Sequence, residues 1–244
     1  MKRWKLGNFS AAAIFWFTTV ASAAQLTVGA GSSVDLGTGS LDLGCADLVV
    51  AGTLTAGTHG VAQARDVTID PSGVLSGESA TLEVTGDWGN AGAFNAGTST
   101  VQLVDGCGLS SAVITGDSTF YELAMTTSTG KLYSFAAGST QTVTQSLSIV
   151  GAAGNLLAIR STVDGEAAFI DLQGSASTDY VDVKDNHAIG NVIPLGATSV
   201  NSGNTLKWWV FPIPALPVAG VALLIVGLMW AGSHFAGRGA VIPR

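Results

Sequence analysis

Charge is what this chain has least of. Only 11% of its 244 residues are Asp, Glu, Lys or Arg. Between Gln25 and Lys207 the basic residues are Arg65, Lys131, Arg160, Lys184 and Lys207, against 17 acidic ones, a net of −12. Such a surface repels phosphate backbones, which argues against nucleic acid as a partner. Solubility of an exported domain is sufficient reason for the acidity. The chain is also poor in the Leu, Glu, Lys, Arg and Ala mixture of helical proteins. With 47% hydrophobic residues it is too apolar to be disordered. Histidine is scarce: His59, His187 and His234 stand far apart, in no spacing that would bind zinc. A Gly-x-Ser-x-Gly elbow, a phosphate loop and a dinucleotide fingerprint are all missing. No enzyme activity and no cofactor are expected from these residues.

What the chain has in quantity is glycine, 32 residues of it, with Thr, Ser, Ala and Val between. Glycine at turns with β-branched residues between them predicts many short strands. A pattern recurs: Gly52-Thr53-Leu54-Thr55-Ala56-Gly57, then Gly73-Val74-Leu75-Ser76-Gly77, then Gly92-Ala93-Phe94-Asn95-Ala96-Gly97. The steps are 21 and 19 residues, and Phe135 follows 41 residues after Phe94, about two more steps. Alternating stretches such as 80–85 and 98–104 lie between. A repeat of about 20 residues predicts an all-β, right-handed parallel β-helix, or solenoid, over 25–207. About nine coils at roughly 4.8 Å would make a rod on the order of 40 Å long. Leu54, Leu75, Phe94 and Phe135 are the expected inward ladder, with Thr53 and Thr55 pointing outward. An antiparallel β-sandwich is the alternative, because half a coil matches the spacing of sandwich strands.

The run Gly86-Asp87-Trp88-Gly89-Asn90-Ala91-Gly92-Ala93-Phe94 reads Gly-x-Trp-x-Asn-x-Gly-x-Phe. With Val101 and Thr119-Phe120-Tyr121-Glu122-Leu123 it resembles the Gly-rich repeats of large bacterial surface proteins. That resemblance implies a parallel β-helix with a surface role and no defined chemistry. Trp88 could stack on a sugar ring if exposed, or pack in the core if buried.

Both ends have their own character. Lys2, Arg3 and Lys5 precede an apolar stretch, and Ala21-Ser22-Ala23 suits small-residue cleavage. Residues 1–24 are expected to be a signal peptide, cut after Ala23 or Ala24; a retained transmembrane helix is the alternative. From Trp208 to Gly237 there is no Asp, Glu, Lys or Arg. Residues 217–235 are long enough for a transmembrane helix, with Trp208, Trp209 and Trp230 suited to its two interfaces. Residues 208–216 form a Pro-rich linker, and 236–244 a short cytoplasmic tail carrying Arg238 and Arg244. A buried core helix is the competing reading of the apolar run. The tail resembles bacterial C-terminal sorting signals that begin Ile-Pro-Thr-Leu, through Ile213-Pro214-Ala215-Leu216, Pro217, the span and Arg238. Ala215 stands where that family has Thr. The resemblance implies a membrane sorting peptidase of the exosortase-like type as a partner; a permanent single-pass anchor is the plainer alternative.

Two cysteines remain after processing, Cys45 and Cys107, and an exported chain with two cysteines favours a disulfide. They are 62 residues apart, about three coils, or roughly 14 Å along a regular rod. A disulfide tolerates Cα separations only to about 7 Å. The bond therefore requires an excursion of the Cys107 loop, a folded-back N-terminal cap, or a sandwich. The densest polar cluster is Asp179-Tyr180-Val181-Asp182-Val183-Lys184-Asp185-Asn186-His187. As a strand it puts Asp182 and Lys184 on one face and Val181 and Val183 on the other, with a turn starting at Asp185-Asn186. A solvated strand edge accounts for it; a Ca²⁺ site on Asp182 and Asp185, a glycosidase carboxylate pair, or a partner site are the functional readings.

Together these features predict a non-enzymatic cell-envelope or extracellular-matrix protein, structural or adhesive. It would be exported by the export machinery, then anchored in the inner membrane or sorted to the surface through its tail. A surface polysaccharide or a protein is the expected ligand. A carbohydrate-active or carbohydrate-binding β-helix is the runner-up.

Overall fold

The computed structural model describes residues 24–208. The signal residues Ala21 and Ala23, the motif Ile213, Pro214, Ala215, Leu216 and Pro217, and Arg238 and Arg244 lie outside them; Ala24 is the first described residue and is exposed.

The chain winds as a parallel β-solenoid of about nine turns. The first coil carries β1 (Gln25–Val28), β2 (Ser33–Asp35) and β3 (Ser40–Asp42). The second carries β4 (Asp47–Val50), β5 (Thr53–Thr55) and β6 (Gly60–Ala64). The third has β7 (Val67–Ile69), β8 (Val74–Ser76) and β9 (Thr81–Val84). The fourth has β10 (Trp88–Asn90), β11 (Ala93–Asn95) and β12 (Thr100–Leu103). From there the strands lengthen. Coil five has β13 (Ser111–Thr115) and β14 (Ser118–Thr126), and coil six β15 (Leu132–Phe135) and β16 (Thr140–Val150). Coil seven has β17 (Leu157–Ser161), β18 (Ala168–Leu172) and β19 (Ser175–Asp179). The last two are built on β20 (Val181–Ala188) and β21 (Val200–Leu206).

Every strand pairs in parallel with its equivalent one coil away. The first face runs β1-β4-β7-β10-β13-β15-β17-β20-β21. The second runs β2-β5-β8-β11 and continues in the later coils through the first halves of β14 and β16, then β18 and the second halves of β20 and β21. The third runs β3-β6-β9-β12-β14-β16-β19. These parallel ladders rule out the sandwich, in which neighbours would be antiparallel.

Parallel stacking repeats side-chain direction from coil to coil, so equivalent positions build apolar columns. Val34, Leu54, Leu75 and Phe94 are register neighbours on the second face, all buried. Thr53 and Thr55 flank Leu54 and are partly exposed, as alternation requires. Phe135 is buried but stands in a different column, between Ile114 and Ser161 on the first face. The reason is coil length. Trp88 to Ile114, register partners, is a step of 26 residues, so counting 41 from Phe94 lands on another face.

The glycine of the recurring pattern turns the first face into the second. A Cβ on Gly73 would sit 1.9 Å from the Val50 carbonyl oxygen, and one on Gly92 2.2 Å from that of Asp70. Backbones of successive coils meet there, and only glycine fits. Trp88, Phe94 and Phe120 fill the core where short coils give way to long ones, with centroids 5.0 to 5.7 Å apart. Trp88 is fully buried, and its Nε1 donates to Ser118 Oγ at 3.0 Å, so it packs rather than stacking on a ligand.

Trp208 is also fully buried, and its Nε1 donates to Asn186 Oδ1 at 3.1 Å. The packed fold therefore includes this first residue of the expected linker.

Candidate functional site

Polar side chains gather at two places. The first is the corner between the third and first faces, where Cys45 and Cys107 form a disulfide with Cα atoms 5.6 Å apart. Of the three routes to such a bond, the molecule uses the loop excursion. Residues 105–110 leave the regular path between β12 and β13. Leu109 N donates to the Gly106 carbonyl, closing a tight turn that carries Cys107. The turn folds back along the rod: a Cβ on Gly106 would lie 2.7 Å from Thr85 Cγ2, and Leu109 Cδ1 approaches Gly86. Both cysteines have left-handed backbones, φ 72° at Cys45 and 51° at Cys107. A side chain in that conformation costs roughly 1–2 kcal/mol.

Along the same corner runs a line of carboxylates, each used to tie one coil to the next. Asp66 Oδ1 accepts from the Asp87 amide at 2.8 Å, and Asp87 Oδ1 from the Val113 amide at 2.7 Å. Asp105 accepts from the Ser128 amide and from Thr127 Oγ1, both at 2.7 Å. Burial works against ionisation of Asp105, but the bonds from Thr127, Ser128 and Thr129 outweigh it and hold its pKa below the ordinary carboxylate value. Arg65 bridges Asp47 at 2.8 Å and Asp66 at 3.0 Å. Burial nevertheless pushes the Asp47 carboxyl up.

Inside this corner lies Lys131, fully buried. Its Nζ donates to the Thr85 carbonyl and, at 3.0 Å, to that of Val104, and it stands 5.3 Å from the centre of the Tyr133 ring. Burial pulls its pKa below the ordinary lysine value and pushes the Tyr133 phenol up. In the sequence Lys131 stands out only as a scarce cation. A signal was there: Lys131, Tyr133 and Phe135 alternate, and alternation puts all three on one face.

The second gathering is the expected cluster on β20. Val181 and Val183 are fully buried while Asp182 and Lys184 face outward, as alternation predicts. No turn starts at Asp185-Asn186. Asp185, with φ 54°, bends β20 without ending it, and Asn186 is turned into the core, where it meets Trp208. Asp182 holds Arg160 Nη2 at 2.5 Å and accepts from Ser202 Oγ at 2.6 Å. Asp185 accepts from Asn204 Nδ2 at 2.7 Å and from the Gly165 amide at 3.2 Å. The Asn204 bond leads the interactions that lower the Asp185 pKa. Lys184 pairs with Asp164. Both oxygens of Asp182 and of Asp185 are thus engaged, by Arg160, the Ser202 hydroxyl, the Asn204 amide and the Gly165 backbone amide. Among the described residues no three His, Cys, Asp or Glu side chains are grouped to hold a metal ion.

His187 is half-buried, its ring 5.9 Å from that of Phe169 and its Nε2 3.3 Å from Asn204 Oδ1. His59 is exposed beside Thr58, and His234 lies outside the described residues. Comparison with protein-family models, with curated proteins and with solved structures found no match.

Proposed function

We propose that this protein is a non-enzymatic rod of the bacterial envelope or extracellular matrix, displayed or released through its C-terminal segment. The observation that carries the reading is how its carboxylates are used. Asp66, Asp87, Asp105, Asp182 and Asp185 all accept hydrogen bonds from a neighbouring coil, so the acidic groups serve cohesion of the rod. A right-handed winding, the usual hand of parallel crossovers, belongs to the same proposal. So do export through residues 1–24, anchoring by 217–235, and recognition of Ile213-Pro214-Ala215-Leu216 by a sorting peptidase.

Mass analysis of the mature protein recovered from cell envelopes tests this reading. The expected N-terminus is Ala24 or Gln25, with a C-terminus near residue 213 if the tail is sorted, or at Arg244 if it is a permanent anchor. Recovery of intact Met1 on a cytoplasmic protein would overturn it.

A second reading, carbohydrate binding at the surface, has one observation of its own. Thr140, Phe169, His187 and Leu206 are register neighbours on the outer side of the second face, and Leu206 is 52% exposed. The outward aromatic pair Phe169 and His187, extended by Leu206, suits the apolar side of a sugar ring. If sugar binds there, Phe169→Ala abolishes retention on a polysaccharide column; equal retention of the two proteins discards it.

A further inference from the structure

We infer that the Cys45–Cys107 disulfide is a latch on a roof, and that its reduction exposes the buried amine of Lys131 to chemistry from solvent. The roof is the loop of residues 105–110. Lys131 Nζ lies against the carbonyls of Thr85 and Val104. Thr85 is 2% exposed, and Gly106 of the loop rests directly on its side chain. The next residue, Gly86, is covered by Leu109. Gly108 and Ser110 are exposed, so this loop is the outer layer of the corner.

The loop is held unequally at its two ends. Its base is fixed by the Asp105 carboxylate, which takes bonds from Thr127, Ser128 and Thr129. Its tip is a turn closed on itself by the bond from Leu109 N to the Gly106 carbonyl. What draws that tip back to the corner of the second coil is the covalent bond to Cys45. Gly106 and Gly108 on either side of Cys107 give the turn freedom to swing once the bond is cut. The left-handed backbones of Cys45 and Cys107 lose their restraint at the same moment.

Lys131 is suited to be uncovered in this way. Its nitrogen is held by two neutral carbonyls, interactions that water can replace, and the side chain enters the corner from the start of β15. Opening the roof need not break the ladder of β13, β15 and β17. The result would be a reactive amine that is shielded in an oxidising compartment and available in a reducing one.

The test is acylation of the full-length chain with the N-hydroxysuccinimide ester of acetic acid, read residue by residue by mass spectrometry. The amine displaces N-hydroxysuccinimide from the ester and loses a proton. Lys184 and Lys207, away from the loop, are internal references. Reduction uses a water-soluble phosphine: phosphine, disulfide and water give phosphine oxide and two thiols, which iodoacetamide then caps with loss of iodide. The expected result is an increase of at least tenfold in acylation of Lys131 on reduction, with Lys184 and Lys207 unchanged. Cys45→Ala/Cys107→Ala should show the high rate without reductant. Hydrogen exchange of β9, β12 and β15, the strands adjoining Lys131 and the two carbonyls holding it, is followed in parallel and should stay slow. An unchanged Lys131 rate after reduction overturns the proposal. So does acceleration accompanied by fast exchange in β9, β12 or β15, because Lys131 would then be exposed by unfolding of its own coils rather than by release of one loop.

Discussion

Coils one to four and coils five to nine build the same rod from different parts. In the first four, each strand has three to five residues, and corners on closely stacked glycines separate the faces. In the later coils β14, β16 and β20 run eight to eleven residues, passing from one face to another without a break. Their bends rest on a bulge after Phe120 and on Asp185 with a left-handed backbone. A short strand makes few ladder bonds of its own, so the early coils depend on core columns and on a covalent tie across about three coils. A long strand supplies a continuous ladder, while side-chain clips occur in both halves, Arg65–Asp47 in the early coils and Arg160–Asp182 in the later ones. Cohesion has moved from cross-link to ladder along one molecule.

Four expected outcomes can break or sharpen that contrast. The largest is loss of the disulfide. Closing a 62-residue loop restricts the unfolded chain by about 4 kcal/mol in the chain-entropy model. Cys45→Ala/Cys107→Ala should lower the denaturant midpoint accordingly, with hydrogen exchange rising first in β1, β4 and β6, in the coils beside Cys45. Equal acceleration in β16 and β20 would break the contrast between the halves.

Next is the second-face column. Leu75 is 1% exposed between Leu54 and Phe94, and Leu75→Ala should cost about 2–5 kcal/mol. Thr55→Ala, on the outer side of β5, should stay within about 0.5 kcal/mol. Chemical denaturation of both variants checks this, and similar losses for the two would contradict the alternation.

In the later coils, Arg160→Met removes the bridge to the partly buried Asp182 carboxylate. The loss should be about 1 kcal/mol and should fall mainly on exchange in β17, β20 and β21. A loss matching that of the disulfide would mean that these coils also depend on discrete ties.

The smallest effect is on acid stability. Asp105 and Asp185 have folded pKa values below the ordinary value of 3.8. Each contributes stability that is complete above the unfolded carboxylate pKa and is lost as pH falls through the folded one. Asp105→Asn should blunt the acid dependence of exchange in coils five and six and leave that of β20 unchanged. Thermal melts and exchange between about pH 5 and pH 2 check it.

Much of the rod is legible in single residues. Leu54, Leu75 and Phe94 follow from spacing alone, because a 19- to 21-residue step returns the chain to the same face while the early coils keep a constant length. The Gly-x-Trp-x-Asn-x-Gly-x-Phe run proves to be a list of fold requirements. Trp88 fills the core, Asn90 donates to Ser118, Gly92 lets two backbones touch, and Phe94 ends the column. Phe135 escaped because the later coils are longer. The clip made by Asp185 and the burial of Asn186 escaped because the pair reads as turn residues by propensity, and a left-handed backbone inside a parallel ladder satisfies that propensity without ending the strand.

The sequence by itself determined which residues face inward on the second face of the early coils, Leu54, Leu75 and Phe94, since alternation and a glycine at those corners act locally and need no knowledge of neighbours. It also posed the problem of the cysteines, through a separation too long for a regular rod. Only the tertiary structure decided how the problem was solved and which side chains meet across coils. The fold-back of residues 105–110, the burial of Lys131 beneath them and the pairing of Asp182 with Arg160 all depend on how far each coil has advanced along the axis. That distance is a sum of loop lengths and corner geometries. No short segment contains it, and it exists only once the coils are stacked.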